Sequence, residues 1–307
     1  MPSREYQGFL DAVKGSLFES GDSTEVARAK LEAMHGHPIK SSTRVDWIES
    51  GPVRSAMIVA EEAKDTDRIL VLFHGGAFIA AGGNGYLFYA EALSKYCDAR
   101  LLLIDYRLAP ENRYPAALDD CVGGYLALLA SGIAPTQVGF IGDSCGGGLV
   151  LSSLLRLRDQ GQPLPACAVT LGGWFDLEAQ GKTGLNPLGP DPFAHPEFIR
   201  ARGRDYVGAV GDVGDVGDVG NLRDPFVSPI HSNPEGLPPL LLQVGQVDLV
   251  RDDALGFGKN AALAGVDVTV EVHPQMIHGF QGLASAGIPE AIDALSRVRN
   301  FVARVIP

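Results

Sequence analysis

No apolar stretch in this chain of 307 residues approaches the roughly 18 residues that cross a bilayer, which argues against a membrane-spanning role. Cysteine is scarce. The four present, Cys97, Cys121, Cys145 and Cys167, show no CxxC spacing, so neither a zinc site nor a disulfide framework is indicated. Positive charge is also short: 25 Lys and Arg stand against 37 Asp and Glu, a net charge of -12. Without a basic patch, neither nucleic acid nor an anionic membrane surface is an expected partner. Residues Met1 to Leu10 are polar and lack the basic-then-apolar build of a secretory signal. The expectation is a soluble, reduced, cytoplasmic protein.

What the chain has is glycine, 38 residues of it, and 46% hydrophobic residues, enough for one large α/β domain with a lid. It is organised around Val138 to Gly148. A short apolar run, Val138 to Ile141, leads into Gly142-Asp143-Ser144-Cys145-Gly146 and then into Leu149-Val150-Leu151, which continues as a helix. This is G-x-S-x-G between a strand and a helix, the context that gives the motif meaning. Ser144 must sit in a strained turn, and a Cβ on either flank would collide with the neighbouring elements. The turn lifts the hydroxyl to the positive end of the following helix, where a developing anion is favoured.

Around this centre, strand and helix patterns alternate. Thr43 to Glu49 and Val53 to Ala60 read as an antiparallel hairpin about Gly51-Pro52. Strands follow at Arg68 to Phe73, Leu101 to Ile104, Ala166 to Leu171, Pro239 to Val244 and Val266 to Val272, with helices between, near Tyr86 to Tyr96 and Pro115 to Ala130. The predicted fold class is α/β, a mostly parallel sheet with helices on both faces and ligands beyond the carboxyl ends of the strands. Ahead of it, Tyr6, Phe9, Leu10, Val13, Leu17 and Phe18 form one helical stripe, and Ser23 to Met34 a second helix. Residues 1–42 are expected to cap the site.

His74-Gly75-Gly76-Ala77-Phe78 follows a strand directly. Its glycines let backbone N–H groups approach a substrate oxyanion, each well-placed donor being worth roughly 3 to 4 kcal/mol. The oxyanion donors expected from Gly75, Gly76, Ala77 and Cys145 centre on the last three. His74 is read as a structural histidine that holds the loop.

These stretches, with Asp105-Tyr106-Arg107-Leu108-Ala109-Pro110-Glu111, Tyr114-Pro115-Ala116, Gln243 to Asp248, Arg251-Asp252-Asp253 and Met276-Ile277-His278-Gly279-Phe280, resemble the hormone-sensitive lipase-like family IV of α/β-hydrolases. That family includes bacterial carboxylesterases and monoterpene epsilon-lactone hydrolases. Motif order and spacing agree from about residue 40 to the end. Three positions depart from the family pattern: Ala77 replaces a third glycine, Cys145 a common alanine, and Leu249 a proline. The resemblance implies an α/β-hydrolase fold and a triad in the chain order Ser, Asp, His. Ser144 is the nucleophile, Asp248 the orienting acid, and His278, on the loop after the last strand, the base. Asp252 and Asp253 are read as capping the next helix. Cys145 is read as contributing its amide, its side chain turned into the packing.

Between Trp174 and Phe226 the strand-helix rhythm stops, and an insertion of about 176–225 is expected to complete the cap over a catalytic domain spanning 43–307. Pocket-wall candidates are Phe78, Trp174, Phe193, Phe198, Tyr206 and Phe280. The repeated Gly211-Asp212-Val213, running to Gly220, is read as an expanded surface loop rather than a calcium-binding array. The expected substrate is a small ester or lactone, with no metal and no organic cofactor. A receptor or a dehydratase on the same scaffold is the alternative, the former opposed by the presence of His278. Homodimerisation through an edge strand or helix is left open.

Overall fold

The computed structural model describes residues 2–13, 17–179, 191–193, 195–208 and 221–306. The Gly-Asp-Val run and Leu185-Asn186-Pro187 lie outside the described residues.

Eight strands form one sheet: β1 (Arg44–Ser50), β2 (Val53–Val59), β3 (Ile69–Phe73), β4 (Arg100–Ile104), β5 (Val138–Asp143), β6 (Cys167–Leu171), β7 (Leu240–Gly245) and β8 (Val268–His273). Their order is β1-β2-β4-β3-β5-β6-β7-β8. β1 with β2 and β2 with β4 are antiparallel, and every other neighbouring pair is parallel. The helices are α1 (Arg4–Ala12), α2 (Thr24–His35), α3 (Leu87–Cys97), α4 (Ala116–Ala130), α5 (Cys145–Asp159), α6 (Pro196–Val207), α7 (Arg251–Leu263) and α8 (Pro289–Val305).

Successive strand side chains face opposite ways, and both faces of a parallel sheet are covered, so the inner strands are apolar throughout. In β3, Ile69, Val71 and Phe73 pack with α4, α5 and α7 through residues such as Leu118, Leu154 and Phe257. Leu70 and Leu72 of the same strand pack with α3 and α8 through Leu93, Leu295 and Val298. The sheet is thereby held from both sides, and its carboxyl edge is left to carry loops.

The N-terminal stripe does not form one helix. α1 is capped by Ser3, whose side chain accepts from the Tyr6 N–H, and it ends at Ala12. Leu17 and Phe18 are instead extended, their N–H groups donating to the carbonyls of Pro192 and Phe193. Pairing with a distant segment wins there over helical periodicity.

Candidate active site

The strand β5 delivers Ser144 at its end and α5 begins one residue later. Ser144 has φ 54° and ψ -121°, the strained conformation expected of such a turn. Its flanks leave no room for side chains: a Cβ on Gly146 would lie 2.0 Å from the Phe73 carbonyl oxygen, and one on Gly142 would lie 2.3 Å from that of Gly146.

Asp248 and His278 arrive from neighbouring loops because β7 and β8 run parallel, with Gly245 opposite His273. A Cβ on Gly245 would sit 2.2 Å from the Met276 carbonyl, so glycine is what lets the two loops pack together. The Ser144 Oγ lies 2.9 Å from His278 Nε2. His278 Nδ1 lies 2.9 Å from Asp248 Oδ1, which also accepts from the Val250 N–H at 3.0 Å. Burial disfavours the His278 imidazolium, but the charge and hydrogen bond of Asp248, with Asp191 and Asp143 adding, outweigh it and raise the imidazole to about 9.

Gly76, Ala77 and Phe78 all adopt positive φ, 108°, 53° and 65°. Gly76 and Ala77 line the cavity in front of Ser144. Gly75 stands elsewhere: its Cα faces Asp143 and Tyr86, where a Cβ would meet Oδ2 at 2.5 Å, and it is not part of the cavity wall. Cys145 is fully buried, its Sγ accepting from the Phe78 N–H at 3.2 Å, and burial pushes the thiol up to about 12. His74 stacks on Tyr106, with ring centroids 4.0 Å apart, and its Nδ1 lies 2.7 Å from the Gly75 oxygen. Burial holds His74 down to about 4, a neutral ring at ordinary pH. Asp143, accepting from the Tyr86 hydroxyl, has its carboxyl raised by burial.

The cavity above Ser144 is about 390 Å³, within the usual range for a small-molecule site. Trp174, Phe193 and Phe198 line it; Phe78, Tyr206 and Phe280 do not. Phe78 and Tyr206 stack on each other, with centroids 3.9 Å apart, and Phe280 packs against His273 at 4.9 Å. Those three pack inside the fold and not on the cavity wall. The sequence reading missed most of the outer wall: Phe9 and Val13, Leu31, Met34 and His35 of the N-terminal region all reach the cavity. It also missed Asp191, whose carboxylate accepts from the N–H groups of Phe193, Leu249 and His278. Asp253 is no helix cap either: it is buried, and it accepts from the N–H groups of Phe175 and Asp176 after β6. Among the described residues, Asp176, Glu178 and His231 bring ligand-type atoms within 4.8 Å of one another, but none of them lines the cavity.

A strained serine at a strand-helix turn, with a histidine and an aspartate from the last two strand-end loops, defines the class of the molecule. The family model for the alpha/beta hydrolase fold matches residues 70–282. An acetyl-hydrolase of Streptomyces hygroscopicus is 34% identical over 216 residues, 70% of this chain and 69% of that protein. The esterase LipU of Mycobacterium tuberculosis is 32% identical over 268 residues, 86% of this chain and 88% of that one. The crystal structure of an esterase from the bacterial hormone-sensitive lipase (HSL) family superposes with a TM-score of 0.89 at 32% identity, with 100% of both chains covered. The chain belongs to the α/β-hydrolases, within the hormone-sensitive lipase-like family IV. Its activity is that of a carboxylesterase. No helix among the described residues is long and apolar enough to cross a membrane.

Proposed function

We propose that this enzyme hydrolyses short- to medium-chain carboxylic esters, or lactones, through an acyl-enzyme on Ser144, with His278 as base and Asp248 as its orienting acid. The observation that carries the reading is the pair of 2.9 Å contacts, Ser144 Oγ to His278 Nε2 and His278 Nδ1 to Asp248 Oδ1, at the floor of an apolar cavity.

In the first half-reaction His278 takes the Ser144 proton as Oγ bonds to the ester carbon. The carbonyl oxygen becomes the oxyanion, received by the N–H groups of Gly76, Ala77 and Cys145. His278 then gives its proton to the departing alcohol as the carbon–oxygen bond breaks. In the second, His278 deprotonates a water that attacks the acyl-serine, and the acid leaves with Ser144 restored. In a lactone the departing alcohol stays tethered to the product acid.

No Lys or Arg contributes to the cavity wall among the described residues, which supports an uncharged substrate. Residues 1–42 and about 176–225 act as the cap, a reading supported by the wall residues Phe9, Leu31, Phe193 and Phe198. The four cysteines are free and buried, in keeping with a reduced, cytoplasmic setting.

The test is hydrolysis of p-nitrophenyl esters from acetate to laurate beside a panel of seven-membered lactones, with Ser144→Ala and His278→Ala as controls. Turnover that disappears in both variants is expected, and the chain-length cutoff measures the cavity. Full activity in either variant, or tight binding of a small acid without turnover, overturns the reading.

A further inference from the structure

The base of a triad has to be held as well as supplied. The loop Pro274 to Gly279 contains no helix or strand that would fix His278 by its own hydrogen bonds. Besides backbone bonds such as that from the Val247 N–H to the Met276 carbonyl at 3.0 Å, it is held by side chains from far along the chain. Tyr6 of α1, fully buried, donates its hydroxyl to the Gln275 carbonyl at 3.2 Å and accepts from the Ile277 N–H at 3.1 Å. The next N–H, that of His278 itself, donates to Asp191 Oδ2 at 3.1 Å. The same oxygen accepts from the Leu249 N–H, one residue past Asp248, at 3.0 Å.

One carboxylate oxygen therefore joins the backbone of the base to the backbone beside the acid. The other oxygen, Oδ1, accepts from the Phe193 N–H at 2.8 Å, which turns the chain so that Phe193 faces the cavity. Asp191 is only 6% exposed, so its acceptors have no competing water. The segment that carries it is held from outside, since the Pro192 and Phe193 carbonyls receive the Leu17 and Phe18 N–H groups.

We propose that Asp191 is a positioning residue of the triad, a carboxylate from the segment between β6 and α6 that sets the acid loop and the base loop at their working separation. The inference rests on the assignment of Ser144, His278 and Asp248 given above. The Leu249 and His278 N–H groups belong to loops some thirty residues apart in the chain, and a single carboxylate oxygen with two lone pairs accepts from both. The negative charge also faces His278, and burial together with Asp248 raises the Asp191 carboxyl to about 6, leaving it ionised at neutral pH and above. Its effect belongs to the transition state: substrate binds the cavity wall, whereas proton transfer needs the imidazole aligned, and a misplacement of about 1 Å costs roughly a hundredfold in rate.

The experiment compares Asp191→Ala, Asp191→Leu and Asp191→Asn with the wild-type enzyme on p-nitrophenyl butyrate, after circular dichroism and melting establish the folded fraction, with Ser144→Ala alongside. For the Ala variant, kcat per folded molecule is expected to fall about a hundredfold with KM within about threefold. Asn keeps one acceptor oxygen and is expected to recover to within about tenfold of wild type. The low-field proton resonance of the His278–Asp248 bond is expected to shift or broaden in the Ala variant and to return in the Asn variant. If Ala fails to fold, Leu, which fills the same space without an acceptor, carries the comparison. Wild-type kcat in either folded variant overturns the inference, as does a raised KM at unchanged kcat, or an Asn variant as impaired as Ala. Persistent hydrolysis by Ser144→Ala would instead remove the triad assignment itself.

Discussion

The thiol of Cys145 accepts a hydrogen bond from the Phe78 N–H at 3.2 Å, joining the residue after Ser144 to the loop that carries Gly76 and Ala77. The two segments that carry the proposed oxyanion donors are thus tied by a side chain. Because the thiol lies inside the fold and its proton is held tightly, it serves as an acceptor and not as a second nucleophile.

Replacing Cys145 with Ala leaves a buried N–H without its partner. The expected cost is about 1 to 3 kcal/mol of stability, with ester hydrolysis kept within several-fold of wild type. Chemical denaturation of the two proteins, with kcat measured at low denaturant, checks both halves. Iodoacetamide is expected to leave the native enzyme active, since all four cysteines are buried.

Asp248→Asn keeps the shape of the acid but presents an amide to His278 Nδ1, favouring the wrong tautomer of the ring. A loss of roughly 10⁴ in kcat is expected, measured with a p-nitrophenyl ester at saturating concentration.

The pH profile follows from the same contact. The proposed mechanism needs His278 neutral, and its raised value, about 9, means that this base is lost to protonation well above the ordinary histidine range. Activity per folded molecule is expected to climb between pH 7 and 9, and kcat/KM is expected to have its acid limb above 6.5. In Asp248→Asn that limb should move to lower pH, because the charge that stabilises the imidazolium is gone. A wild-type limb at or below 6.5 would contradict the electrostatic account.

Gly146→Ala places a Cβ 2.0 Å from the Phe73 carbonyl, backbone against backbone, with nothing flexible to yield. The expected result is a loss of about 3 kcal/mol or more, seen as a lowered melting temperature or as insoluble protein.

Phe193→Ala removes a ring that lines the cavity at 5.0 Å from His278. The preferred acyl chain is expected to lengthen, with the activity maximum across the acetate-to-laurate series moving toward longer esters. An unchanged maximum would place the acyl group elsewhere in the cavity.

The elbow and the strands were readable from residue order because the forces that shape them act over a few residues. Gly142 is required by the turn that follows it, although the room at Gly146 is taken by the distant Phe73 carbonyl, and the alternating faces of β3 follow from the pleat alone. That Asp248 and His278 each follow a strand was likewise legible, and the parallel pairing of β7 with β8 brings their loops together. The cavity wall was not. Phe78, Phe193 and Tyr206 are alike as aromatic residues, and only their partners separate them: Phe78 and Tyr206 stack on each other, while Phe193 turns toward the imidazole. Asp253 looked like a helix cap because it lies in the first turn of α7, yet its carboxylate is taken by the Phe175 and Asp176 amides.

The sequence by itself determined the fold class, the strand-turn-helix at Ser144 and the chain order of Ser144, Asp248 and His278, all properties of short segments and their spacing. The tertiary structure decided which aromatic rings face the cavity, and that one Asp191 oxygen accepts from the N–H groups of both Leu249 and His278. Those depend on contacts between segments tens to hundreds of residues apart, such as Leu17 with Pro192 and Tyr6 with Ile277, and no local pattern of residues encodes such a meeting.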